Sequence, residues 1–193
     1  MVAQGPAHVA GLIEIIEDPA CALPEGARPI LRVAVAHLKD LDEKIALLDV
    51  EVAKRAKEDQ VARRLTTIPG VGPITATAIA ALAPPAETFG KGRDFAAWVG
   101  LTPLQRSTGG KQKLGATSKM GERTIRRLLI SGASAVVRQA TRREAPEGSW
   151  LARMLARKPR MVVIVALANK MARIAWALLA KGETYKAPVA MAA

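Results

Sequence analysis

Scarcities narrow this sequence before any motif does. Cys21 is its sole cysteine, so no disulfide framework exists and a reducing compartment suits the chain. Its two histidines, His8 and His37, lack metal-ligand spacing, which all but removes zinc sites and Ser-His catalysis. Aromatic residues make up only 3% of the chain, so the 50% apolar content rests on small side chains, Ala above all. Ala has the best helix propensity and lets helices approach closely, which predicts an all-α protein. The 193 residues suffice for one compact domain plus an extension. No signal peptide follows Met1, and the most apolar stretch, residues 161–180, carries Asn169, Lys170 and Arg173. No membrane partner is expected, and a cytoplasmic location is.

Acid is scarce in the second half. Residues 91–193 hold 20 Lys and Arg against 5 Asp and Glu, whereas residues 1–90 hold 9 against 12. Solvation alone requires no such segregation. A polyanionic partner exploits it, because each neutralised phosphate releases condensed counterions. A cationic helix on a membrane surface competes, but the basic residues are spread over several elements. Nucleic acid is the expected partner.

Gly and Pro are absent from about residue 30 to residue 62, after a short helix over residues 8–17 and a connection punctuated by Pro24, Gly26 and Pro29. Leu31, Leu38, Ile45 and Val52 fall seven apart, with Val35, Leu41 and Leu48 between them. This heptad seam predicts a long coiled-coil helix that self-associates or pairs within the chain; a helix packed on its own domain is the plainer reading.

Residues 66–82 follow with two glycines between two apolar helices. Pro69 ends one helix, Gly70 and Gly72 permit a tight turn, and Pro73 suits the first position of the next. Val71 between the glycines is an apolar plug. The pattern is that of a helix-hairpin-helix, in which Gly70, Val71, Gly72 and Thr75 would bring backbone N–H groups to a phosphate. A simple helix–helix corner would carry the same residues without DNA contact.

A short helix over residues 94–99 with Phe95 and Trp98 as anchors leads into an irregular polar stretch, residues 100–121. A loop of this length inside a small helical domain is unusual and commonly functional. Arg106, Ser107, Thr108, Gly109, Gly110, Lys111, Lys113 and Lys119 combine hydroxyls, cations and glycines that admit close approach of a phosphate. Helices over residues 122–143, 149–157 and 159–179 complete the domain, with Gly182 capping the last and a loose tail over residues 186–193. Arg123, Arg126 and Arg127 open the first of these as DNA-contact candidates, although a solvated helix face reads the same way.

The runs IPGVGPITA, DFAAWVGLTP, RSTGGKQKLGATSKMGERTIRRLLI and VALANKMARIAWALL, in this order, resemble the insertion sequence 110/116/902 transposase family, with Piv-type DNA invertases as relatives. The heptad helix is similar to the coiled coil that precedes this domain in the family. The resemblance implies DNA transposition by site-specific recombination, a structured bridge RNA as guide, and a serine nucleophile that maps onto Ser107. It also implies a RuvC-like domain whose Asp/Glu quartet binds Mg²⁺. Residues 1–29 are too short for that fold and form a connector in this reading. The chain is therefore expected to carry no cofactor itself and to be inactive alone, needing the RuvC-like domain in cis or in trans. Residues 30–62 are the heptad helix and residues 63–185 the C-terminal transposase domain. Thr108 and Ser118 are rival hydroxyls, and an ordinary phosphate-contacting role for Ser107 stays open. The alternative function is a non-catalytic DNA- or RNA-binding module that modulates a full-length transposase.

Overall fold

The computed structural model describes every residue except 1–4, 6–7, 25, 112, 147 and 187–193, so most of the tail expected from residue 186 lies outside it. It is mostly helical and divides into two compact units, residues 1–51 and 52–193. In the first unit, α1 (Val9–Glu17) ends at Asp18, immediately before Pro19, where the sequence places its end. Arg32 ties α1 to α2 (Ala27–Glu58) by donating from Nε and Nη2 to the Glu17 carboxylate at 3.1 and 2.7 Å. That hydrogen bonding holds the Glu17 carboxyl below its ordinary value and the Arg32 guanidinium above its own. Arg28 adds bonds of 2.8 Å to the carbonyls of Ile16 and Cys21.

The uninterrupted helix expected over residues 30–62 is two helices. It starts earlier, with Pro29 accommodated in its first turn, and it breaks at Asp59. Asp59 is extended (φ −73°, ψ 122°), and its carboxylate accepts from the Ala62 N–H at 2.8 Å, capping α3 (Gln60–Leu65). A short acceptor side chain competes with the helical backbone in this way, which periodicity of apolar residues does not register. The heptad positions Leu38, Leu41, Ile45 and Leu48 remain 40–65% exposed.

The second unit is built around α8 (Arg160–Lys181). Val163, Ala168, Met171, Ala172 and Ala175 are buried along it. α6 (Arg123–Arg143) lies against α8 and buries Ile125, Leu129, Ala133 and Val137, one residue in every four. A side chain every fourth position lies on one face, and each large one buried contributes about 1.5–3 kcal/mol. The small residues of this pair bring the backbones close. α4 (Pro73–Leu82) packs on α3 and on α6. After it, a 3₁₀ turn (Ala86–Thr88) leads to α5 (Gly92–Trp98), which also lies on α8. Phe89, Phe95 and Trp98 group together, with ring centroids 5.3–5.8 Å apart. α7 (Trp150–Leu155), capped by Ser149, packs on α8 as well. Gly182 caps α8 in the left-handed conformation (φ 70°). Among the described helices α8 alone is long and apolar enough to cross a membrane, and its apolar side is the core of this unit.

Residues 100–121 depart from the expected loop. They form a two-stranded antiparallel hairpin of β1 (Pro103–Gln105) and β2 (Leu114–Thr117), with Pro103 opposite Thr117 and Gln105 opposite Leu114. An irregularity falls between those two pairs. The all-α class holds for the chain as a whole, with this hairpin as the sole sheet among the described residues.

Candidate nucleic-acid interface

The hairpin presents Ser107. Beyond the paired strands, the Arg106 N–H donates to the Lys113 carbonyl at 2.8 Å, and Thr108 bridges Lys111. Gly109 and Gly110 occupy the two central turn positions with φ of 57° and 76°. Positive φ at both positions is what a two-residue turn between right-twisted strands requires, and glycine meets it without strain. The Ser107 hydroxyl donates to Gln105 Oε1 at 3.0 Å and accepts from the Lys113 N–H at 3.1 Å. It is thus oriented by one amide side chain and one backbone group, both uncharged. Arg106, Thr108, Lys111 and Lys113 are exposed around it, and no described carboxylate is ion-paired with these cations. The tip therefore offers a hydroxyl, three cations and glycine backbone that anionic oxygen can approach closely.

The base of the hairpin is strapped to α5. The Ser118 N–H donates to the Thr102 carbonyl at 2.8 Å, Lys119 N–H to Gly100 at 3.2 Å, and Glu122 N–H to Trp98 at 3.1 Å. Lys119 has φ 54°, and a Cβ on Gly121 would run into the Trp98 carbonyl oxygen. Arg126 turns inward and donates from Nη1 to the Val99 carbonyl at 2.9 Å, so this candidate braces the strap. Arg123 and Arg127, one helical turn apart on α6, stay exposed.

The two-glycine turn stands apart from that arrangement in what it touches. Gly70 has φ 86°, and a Cβ there would meet Val136 Cγ2 at 2.8 Å and the Gly132 carbonyl oxygen at 2.9 Å. Val71 is buried in the core, Thr75 is 6% exposed, and Gly72 is exposed as the residue before α4. Gly70 and Thr75 thus face protein, leaving Gly72, Pro73 and Ile74 as the solvent side of this corner.

The sequence reading missed the hairpin and Gln105. A signal existed for the hairpin: Gly-Gly between two polar-flanked runs marks a two-residue turn. Strands of three and four residues are too short for alternation to show. Gln105 carried no signal, since only the strand register brings its amide to Ser107.

The resemblance places Mg²⁺ on a RuvC-like domain rather than on these helices. Among the described residues, no three His, Cys, Asp or Glu side chains gather closely enough to hold a metal ion.

Comparison with known proteins bears on the same segment. Residues 62–147 match the family described as Transposase IS116/IS110/IS902 family. The chain is 43% identical over 185 residues to a Pseudomonas aeruginosa protein named "Probable family 20 transposase", covering 95% of this chain and 54% of that one. It is 38% identical over 149 residues to the transposase for insertion sequence element IS1328 of Yersinia enterocolitica, covering 77% and 45%. It is 35% identical over 172 residues to the transposase for IS1111A of Coxiella burnetii, covering 89% and 47%. The chain spans about half the length of the curated relatives it matches.

Proposed function

We propose, for a chain that belongs to the IS116/IS110/IS902 family of transposases, that it binds DNA and takes part in transposition with Ser107 as the attacking group. The observation that carries the reading is the hairpin tip: an exposed, oriented serine hydroxyl flanked by Arg106, Lys111 and Lys113 on glycine-permitted backbone. Ser107 Oγ would attack a phosphorus of the DNA backbone, forming a phosphoserine link and releasing one strand end. The three cations would stabilise charge developing on the phosphoryl oxygens. A serine hydroxyl is a weak nucleophile, and neither of its hydrogen-bond partners here is a base. Activation is therefore assigned to a RuvC-like domain acting in cis or in trans. Gly72 and the first turn of α4, with Arg123 and Arg127, would hold the phosphate backbone without reading sequence. A structured guide RNA and self-association through the heptad seam of α2 complete the proposed assembly, acting in the cytoplasm at the nucleoid.

A second reading has one observation in its favour: the Ser107 hydroxyl is tied up between uncharged groups, as a structural residue of the hairpin would be. In that reading the chain is a DNA- or RNA-binding module that modulates a full-length transposase. One experiment separates the two. The chain is combined with a RuvC-like domain of a relative, a guide RNA and a nicked suicide substrate, and the digest is read by mass spectrometry. A phosphoserine adduct at Ser107, absent from Ser107→Ala, is expected. Strand exchange by Ser107→Ala, or an adduct on Thr108 or Ser118, sinks the assignment.

A further inference from the structure

A cleft of about 710 Å³ opens within residues 52–193 between α5, α7 and α8, and no residue of the Ser107 hairpin is among its lining. Its lining includes Lys91, Arg93, Lys170 and Arg173 together with two of the chain's three tryptophans, Trp150 and Trp176. None of its lining residues is acidic among those described. The Lys170 ammonium sits 4.7 Å from the centroid of the Trp150 ring, a cation–π contact that sets the indole and holds a positive charge beside it. Trp176 is fixed by its polar edge, since Nε1 donates to the Ala86 carbonyl at 3.1 Å. Gly92 lets α5 come close: a Cβ there would lie 3.1 Å from both the Arg173 carbonyl oxygen and Trp176 Cε3.

From this combination we infer that the cleft binds an unpaired nucleotide of a nucleic-acid strand, with its base against the Trp150 indole and its phosphates on Arg93, Arg173 and Lys91. Flat π surfaces interleaved with cations are what single strands use, because every base offers a face for stacking while the backbone follows the charge. A purely apolar ligand would gain nothing from four cations. An acidic peptide would use the cations and leave the Trp150 indole idle. A regular duplex keeps its bases stacked on one another and has none to offer a cleft of this size. The base-and-phosphate chemistry is common to DNA and RNA.

The inference rests on the reading that this chain handles nucleic acid, and the test keeps the two apart. Fluorescence anisotropy of the full chain is measured with single-stranded DNA and RNA of about a dozen nucleotides and with the corresponding blunt DNA duplex. Trp150→Ala is expected to weaken single-strand binding by about tenfold while duplex binding moves less than about twofold. Arg93→Gln combined with Arg173→Gln, both exposed side chains outside the core, carries the same expectation if Trp150→Ala folds poorly. Loss on DNA alone, RNA alone or both supports the cleft and names its strand. Equal loss on single strand and duplex, no loss on either, or competition by polyglutamate matching an oligonucleotide of equal charge overturns it. A parent chain that binds neither strand nor duplex overturns the underlying reading as well.

Discussion

Gly132 and Gly70 meet backbone to backbone where the turn before α4 crosses α6. A Cβ on Gly132 would strike the Gly70 carbonyl oxygen, and one on Gly70 the Gly132 carbonyl oxygen. A methyl group at either site must push the two elements apart, since neither backbone can step aside as a flexible side chain would. Gly132→Ala is therefore expected to cost about 1–3 kcal/mol by overpacking. That corresponds to a Tm lower by roughly 3–10 °C in a chain of this size. Gly72→Ala is the matched control, because its backbone is extended (φ −85°, ψ 178°) and nothing lies within 4 Å of the added carbon. It should stay within about 1 kcal/mol of the parent. Thermal melts of both variants check this, and a Gly132→Ala chain as stable as the parent would refute the close crossing. The paired glycines of residues 70–72 thus answer to different demands: Gly70 to packing, Gly72 to the start of a helix.

At the scale of elements, α2 carries an apolar seam with no buried side chain between Leu38 and Leu48. Leu41 and Ile45 are 40% and 55% exposed, and this heptad-spaced face is the one the proposed self-association would use. Light scattering is expected to show self-association of the parent and a smaller species for Ile45→Asp, which puts a charge in the middle of the seam. A parent that stays monomeric at tens of micromolar returns the helix to a solvated role. Legibility differed between elements for a physical reason. The helix of α6 was legible from its composition and its flanking Gly121 and Pro146, but its buried stripe of Ile125, Leu129, Ala133 and Val137 took the packing on α8 to single out. The break at Asp59 was not legible, because it depends on one carboxylate finding the Ala62 N–H.

For the whole molecule, charge rather than any single contact governs the proposed association with nucleic acid. Duplex DNA binding should weaken with salt, with a log–log slope of about −0.9 for each phosphate contacted. Lys111→Gln with Lys113→Gln should flatten that slope by roughly 1–2 and weaken binding to all sequences alike, since phosphate contacts carry no base information. Titrations at several salt concentrations measure it. An affinity indifferent to salt would remove the electrostatic argument.

Helical class, the concentration of positive charge after residue 90 and the family motifs were determined by the sequence itself, because each is written in residue type or in short-range spacing. The turn at Gly70 and Gly72 was legible for the same reason, whereas the turn at Gly109 and Gly110 was hidden in a stretch that reads as loop. Tertiary structure alone decided that Arg126 braces Val99 while Arg123 and Arg127 face solvent, although all three lie within five residues. It also decided that Gln105 and the Lys113 N–H hold the Ser107 hydroxyl. Trp150 and Lys170 stand twenty residues apart on two helices, and only the packing of α7 on α8 puts an ammonium over that indole. Local pattern fixes which face of a helix is apolar. Which distant side chains then meet depends on where neighbouring helices cross, and that is set by the sizes of all the residues between them.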